Sequence, residues 1–339
     1  MPLGKYGVLV GRVVDTRRED EASSPHFQVR VKAADVDYRI AVNVKSQTSP
    51  SELLFLVAED FRHVVTDRLI ALPEGVTPVT KQPGGLALDF IRGNLFDRLD
   101  MRPLPADLLG PDNDLSDRLA HFIDRARNEP DARIFAYGDR WGPESGKADK
   151  AFGFKPGNGI HDIHMNQGNV GQFKQDDGVW QDGGLILHFP STNQWVGIFL
   201  AFQSQAWHTD DQSGHRLEEP GPGPGHAPSP TEPDFRVLVV AALVNAIGPA
   251  PERETVTLLN ATPQSIDLTG WQIADQQKHK QTLAGPIGAG QPRQIVLDPS
   301  VQLGNKGGII TLLDGGGLKV HGVSYTQADA DREGWTVVF

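Results

Sequence analysis

Residues 218–234 read Glu-Glu-Pro-Gly-Pro-Gly-Pro-Gly-His-Ala-Pro-Ser-Pro-Thr-Glu-Pro-Asp, six prolines and three glycines in seventeen positions. Proline cannot donate to a backbone ladder, glycine is entropically costly to order, and the stretch has almost no apolar surface to bury. It is therefore expected to be an extended spacer. A chain of 339 residues is already long for one hydrophobic core. The expected division is a domain over 1–217, the linker 218–234, and a second domain over 235–339.

The first segment opens on strand patterns. Tyr6 to Val14 is β-branched, His26 to Lys32 alternates with period two, and 38–45 puts Tyr38, Ile40, Val42 and Val44 on one face and Arg39, Asn43 and Lys45 on the other. Between 114 and 127, Leu115, Leu119, Phe122, Ile123 and Ala126 form a helical stripe behind an acidic start. Short apolar runs at 132–138 and 195–202 read as buried strands. The expectation is an α+β domain with largely antiparallel strands. Beyond the linker, short strands near 235–244, 254–260, 266–275, 295–297, 308–313 and 320 are punctuated by Gly and Pro. They predict an all-β sandwich.

Charge and cysteine content exclude some functions. Thirty-two basic against 43 acidic residues give a net charge of −11, which disfavours nucleic acid and anionic membranes unless a local patch overrides it. Lys147, Lys150 and Lys155 come nearest to such a patch, and Asp149 interrupts them, so there is no strong nucleic-acid signature. With no cysteine, disulfides, thiolate metal sites and a cysteine nucleophile are ruled out. No apolar run approaches the ~18 residues of a membrane span, and Met1 to Tyr6 lacks a leader pattern. A cytoplasmic location is expected.

The densest chemistry lies in Gly159-Ile160-His161-Asp162-Ile163-His164-Met165-Asn166-Gln167-Gly168-Asn169: two imidazoles, a carboxylate and three amides between glycines. Buried polar groups cost free energy unless paired, so this segment is expected to line a cleft.

Two resemblances add to this reading. Thr257 to Asn260, Leu268 to Asp275 with its Gly270-Trp271 pair, and Gly307 to Asp314 resemble a lamin-tail domain. That implies an immunoglobulin-like sandwich serving attachment, with a protein partner for this module; Trp271 is most simply its core tryptophan. Tyr6-Gly7-Val8, Val42 to Ser46, Leu88 to Arg92, Gly110 to Leu115, Gly159 to Asn169, Gln181-Asp182-Gly183 and Phe202 to Gln205 resemble the YukJ-like bacterial family. That resemblance implies no mechanism.

Two catalytic routes follow from the residues. Without metal, His161 and His164 exchange protons with a phosphoester, Lys45 or Arg92 neutralises the developing charge, and Asn166 orients it. Gln167, Asn169, Gln203 and Gln205 are the further substrate-binding candidates. With a divalent metal as cofactor, His161 and His164 join Asp162, His208 or Asp210 around an ion that activates water. The spacing is not that of a His-Glu-x-x-His protease, and neither Ser46 nor Ser204 sits in a Gly-x-Ser-x-Gly elbow. Arg92 has a simpler alternative role as a salt-bridge partner of Asp89. The expected function is a phosphoester hydrolase; the alternative is a non-catalytic ligand-binding or scaffold protein. A purely structural polar network also remains open.

Overall fold

A computed structural model describes residues 6–19, 25–46, 52–79, 95–96, 100–108, 113–162, 183–202, 236–317 and 319–339. The N-terminal elements are β1 (Tyr6–Arg18), β2 (His26–Ala33), β3 (Val36–Asn43), β4 (Leu53–Ala58), α1 (Val65–Leu69), β5 (Gly75–Pro78), β6 (Arg102–Pro103), α2 (Asp114–Asn128), β7 (Arg133–Glu144), β8 (Gly157–His161), β9 (Gly183–Phe189) and β10 (Gln194–Phe202). This part is mostly strand. The α+β expectation is corrected here: among the described residues the helical content is chiefly α2, because the remaining apolar runs, some alternating and some continuous, find sheet partners.

The ten strands form one sheet in the order β5-β1-β2-β3-β8-β7-β9-β10-β4-β6, and β1 also pairs with β7. That extra pairing closes β1-β2-β3-β8-β7 into a five-stranded barrel from which β9, β10, β4 and β6 continue. Neighbours are antiparallel except β3 and β8. Val13, Phe27, Val29, Val31, Ile40, Val42 and Ile160 share one buried cluster with α2. The first half of β1 is buried on both faces: Leu9 joins that cluster, whereas Tyr6, Val8 and Val10 join a second one with Phe135 and Phe199. Burial on both faces explains its unbroken apolar run. Gly138 marks where β7 passes β8; a Cβ there would collide with the His161 carbonyl and the Ile160 side chain.

Helix α2 starts where its sequence predicts. The Asn113 side chain accepts from the Ser116 amide at 2.9 Å and donates to the Val44 carbonyl at 2.7 Å, so the cap also ties the helix to the end of β3. Leu115, Leu119, Phe122, Ile123 and Ala126 are buried, each of the larger ones contributing roughly 1.5–3 kcal/mol.

The C-terminal part comprises β11 (Val237–Leu243), β12 (Thr255–Asn260), β13 (Ile266–Asp267), β14 (Gln272–Ala274), β15 (Lys280–Thr282), β16 (Pro286–Ile287), β17 (Pro292–Val296), β18 (Gly307–Leu313), β19 (Lys319–Thr326), α3 (Gln327–Ala330) and β20 (Val337–Val338). Two four-stranded antiparallel sheets, β17-β12-β11-β20 and β15-β14-β18-β19, both feed one apolar cluster. Trp271 packs against that cluster as a partly buried ring. Asn260 is fully buried; its amide donates to the carbonyls of Gln264, Ile287 and Gly288, and its oxygen accepts from Thr262. None of the three buried clusters contains residues from both sides of 203–235.

Candidate active site

Strand register decides which side chains of the barrel wall meet. Gln28 opposes Ala41, Ala41 opposes His161, and His161 opposes Asp139, which gives one row across four strands. Arg30, Arg39, Gly159 and Trp141 form the next row. The alternating residues Val29, Ile40 and Ile160 lie in the core, so both rows face outward. They form a cleft of about 270 Å³ lined by His26, Arg39, Ala41, Asp139, Arg140, Trp141, Lys150 and His161.

Two imidazoles meet in this cleft. His161 Nε2 is 2.9 Å from His26 Nε2, with the rings inclined at 55°. His26 Nδ1 lies 3.3 Å from Glu19 Oε2, which also accepts from the His26 backbone amide. The other Glu19 oxygen accepts from Gln28 Nε2 at 2.6 Å and lies 3.8 Å from Lys150 Nζ. A carboxylate–imidazole–imidazole chain results. With Glu19 accepting from His26 Nδ1–H, a neutral His26 offers Nε2 as an acceptor and His161 donates to it.

Arg39 fixes the opposite wall. Its Nε donates to Asp149 and its Nη1 to Gln28, both at 2.7 Å, and the guanidinium carbon lies 4.5 Å from the Trp141 ring centre. Both members of the Arg39–Asp149 pair are buried. The second Asp149 oxygen accepts from the amides of Ala151 and Phe152, so one carboxylate shapes the β7–β8 loop and neutralises the arginine. The Trp141 indole lies over Gly159, where any Cβ would strike it; only glycine permits that approach.

The sequence candidates divide accordingly. His161 lines the cleft. Asp162 is buried beside it, accepting from the Asn43 amide at 3.1 Å. Lys45 lies just past β3, its amide donating to the Asn43 side chain, and is not among the lining residues. Ser46 is buried between the Leu104 carbonyl and the Leu53 amide, a structural bridge with no open nucleophile. Arg92, His164, Asn166, Gln167, Asn169, Gln203, Ser204, Gln205, His208 and Asp210 lie outside the described residues. Among the described residues no group of three or more His, Asp or Glu is arranged to hold a metal ion. Sequence reasoning missed His26, Glu19, Arg39, Trp141 and Arg140 as site residues. The available signal was the alternation of 26–32 and 38–45, which already put His26, Gln28 and Arg39 on outward positions.

Comparison with known proteins bears on the same part of the chain. The sequence model of a family described as "Uncharacterized conserved protein (DUF2278)" matches residues 1–214. "Uncharacterized protein YukJ" of Bacillus subtilis (strain 168) is 44% identical over 214 residues, covering 62% of this chain and 93% of that protein. No solved structure matches.

Proposed function

Since the chain belongs to the DUF2278 family, whose description names no activity, its function has to come from these residues, and we propose that it is a hydrolase of phosphoester bonds. The supporting observation is the 2.9 Å contact between His161 and His26 in a cleft that also presents Arg39, Arg140 and Lys150. His161 is the proton-transfer group through Nε2, which faces His26 in the resting pair and turns to the attacking water or the leaving oxygen when substrate enters, because its Nδ1 is buried. His26 and Glu19 orient that ring and balance its charge when it is protonated. Two rings in direct contact share one proton between their Nε2 atoms, so they act as a relay and do not stand on opposite sides of a substrate. Arg140 and Lys150 meet the anion, because Arg39 already serves Asp149 and Gln28. The Arg140 Nε is buried without a hydrogen-bond partner among the described residues.

The occupied Arg39 also favours a second reading, in which the cleft holds a polar ligand without transforming it. An assay of aryl phosphomonoesters and phosphodiesters, each with divalent metal and with chelator, separates the two. Turnover that falls by about 100-fold or more in His161→Gln supports hydrolysis. Wild-type protein inert under every condition leaves only binding. Metal dependence would return the metal-assisted route.

The C-terminal unit we read as a lamin-tail-like attachment module with an immunoglobulin-like sandwich, serving a protein partner. Support comes from the buried Asn260, the Gly270-Trp271 pair and the two sheets sharing one core.

A further inference from the structure

The outer face of the barrel carries a feature that the proton-transfer site does not use. Arg12 lies directly opposite Lys32, and Arg30 directly opposite Arg39. Like charges facing each other across a sheet are destabilising. The Arg30–Arg39 pair is neutralised, by Asp37 at 2.9 Å and Asp149 at 2.7 Å respectively. Arg12 and Lys32 make no ion pair among the described residues, and nor does Arg17, two rows nearer the cleft. A cationic strip therefore runs along β1 and β2, interrupted by Asp15 opposite Arg30 and flanked by Asp37 opposite Lys32, in a chain whose net charge is −11.

Aromatic rings border the strip on the cleft side. The Arg17 guanidinium lies 5.3 Å from the Phe152 ring centre, Arg30 lies 5.8 Å from Phe154, and Arg39 lies 4.5 Å from Trp141. All three rings are partly exposed. Phe152 and Phe154 belong to the β7–β8 loop that Asp149 shapes, so their placement is set by the same carboxylate that fixes Arg39. Cations alone would suit any polyanion. Cations alternating with part-exposed rings suit a polyanion that also carries flat apolar faces.

We propose that this face binds single-stranded nucleic acid, with bases stacking on Phe152, Phe154 and Trp141 and phosphates meeting Arg12, Arg17 and Lys32. Stacking on aromatic platforms beside a basic groove is the general mode of strand binding without base pairing. Barrel order supports part of the placement by analogy: five-stranded Greek-key barrels of the oligonucleotide-binding type use the outer face of their second and third strands, here the face of Lys32, Arg30 and Arg39, and the flanking loops. As a statement of substrate class this rests on the phosphoester reading of the cleft, since the strip leads a phosphodiester backbone towards His161. The binding claim rests on the face itself.

Fluorescence anisotropy of the full chain with labelled 12-residue oligo-dT and oligo-U, and with a 12-base-pair duplex, tests the inference. The expected result is single-strand binding that weakens with salt and exceeds duplex binding. Phe152→Leu and Phe154→Leu keep apolar bulk, and each should weaken it by about tenfold; Arg12→Gln with Lys32→Gln should flatten the salt dependence. Circular dichroism of each variant checks that the barrel is intact. Absence of binding at low salt would overturn the inference. So would wild-type affinity in both phenylalanine variants, or heparin competing equally before and after those substitutions, since charge alone would then suffice. Oligonucleotide binding without aryl phosphodiester turnover would sink the hydrolase and leave this inference standing; turnover without oligonucleotide binding would do the reverse.

Discussion

The Nε2 atoms of His26 and His161 lie 2.9 Å apart although the residues are separated by 135 positions. Only one hydrogen fits between them. If both rings became imidazolium, two N–H groups would point at each other and the contact would open. Imidazole ¹⁵N NMR should therefore show one N–H shared across the pair. Independent signals from the two rings in the wild type, or a His161 spectrum unchanged by His26→Gln, would contradict the contact.

The buried Arg39–Asp149 pair predicts an asymmetric mutational response. Removing either partner leaves a charge sealed in the barrel wall, at a cost of about 3–5 kcal/mol. Asp149→Asn should cost somewhat less than Asp149→Ala, because the amide oxygen can still accept from Ala151 or Phe152. Arg39→Met with Asp149→Leu should be milder than the sum of the single losses. Urea unfolding of Asp149→Asn, Asp149→Ala, the two single variants Arg39→Met and Asp149→Leu, and the double variant checks the order; strict additivity would mean that the pair is not coupled.

Much of the barrel was legible in advance. Period-two patterns at 26–32 and 38–45, the helical stripe at 114–127 and the apolar run at 195–202 became β2, β3, α2 and β10 with small shifts in their ends. The glycine-bounded segment from 159 led to His161 and the cleft. The partner of His161 was not legible, because it depends on a parallel β3–β8 register that pairs Ala41 with His161. The basic strip escaped for the same reason. Arg12, Arg17 and Lys32 are scattered singly along the chain, and only cross-strand pairing collects them on one face.

The C-terminal unit contains two groups with opposing pH dependence. Burial pushes the Glu254 carboxyl up to about 7, even though it accepts from the Leu303 amide at 2.7 Å. Burial, with help from Lys319, pushes His321 down to about 4, and its Nδ1 accepts from the Val239 amide. The Glu254 pKa is raised by folding, so its stabilisation is complete below about 4.5 and is lost as pH rises through about 7. The His321 pKa is lowered by folding, so its stabilisation is complete above about 6.5 and is lost as pH falls through about 4. Each is worth about 2–3 kcal/mol at its limit. Relative to wild type, Glu254→Gln should gain stability from pH 4.5 to 8, and His321→Gln should gain it from pH 6.5 to 4. Urea midpoints across that range check both, and parallel curves would refute the assignment.

Asn260 holds three carbonyls with one amide. Asn260→Ala would leave buried acceptors unpaired, and the expected loss is about 2–4 kcal/mol in the C-terminal transition. Asn260→Asp should be no better, because a carboxylate cannot donate to those carbonyls. Equal stability of either variant and wild type, by thermal unfolding, would count against this role.

The most direct measurement is chemical rescue. His161→Ala assayed on an aryl phosphodiester should lose turnover by about 100-fold or more and recover part of it when free imidazole is added, because the lost group is a proton carrier. Retention of the wild-type rate by His161→Ala, or turnover lost but indifferent to imidazole while His161→Gln stays active, would contradict a proton-transferring His161.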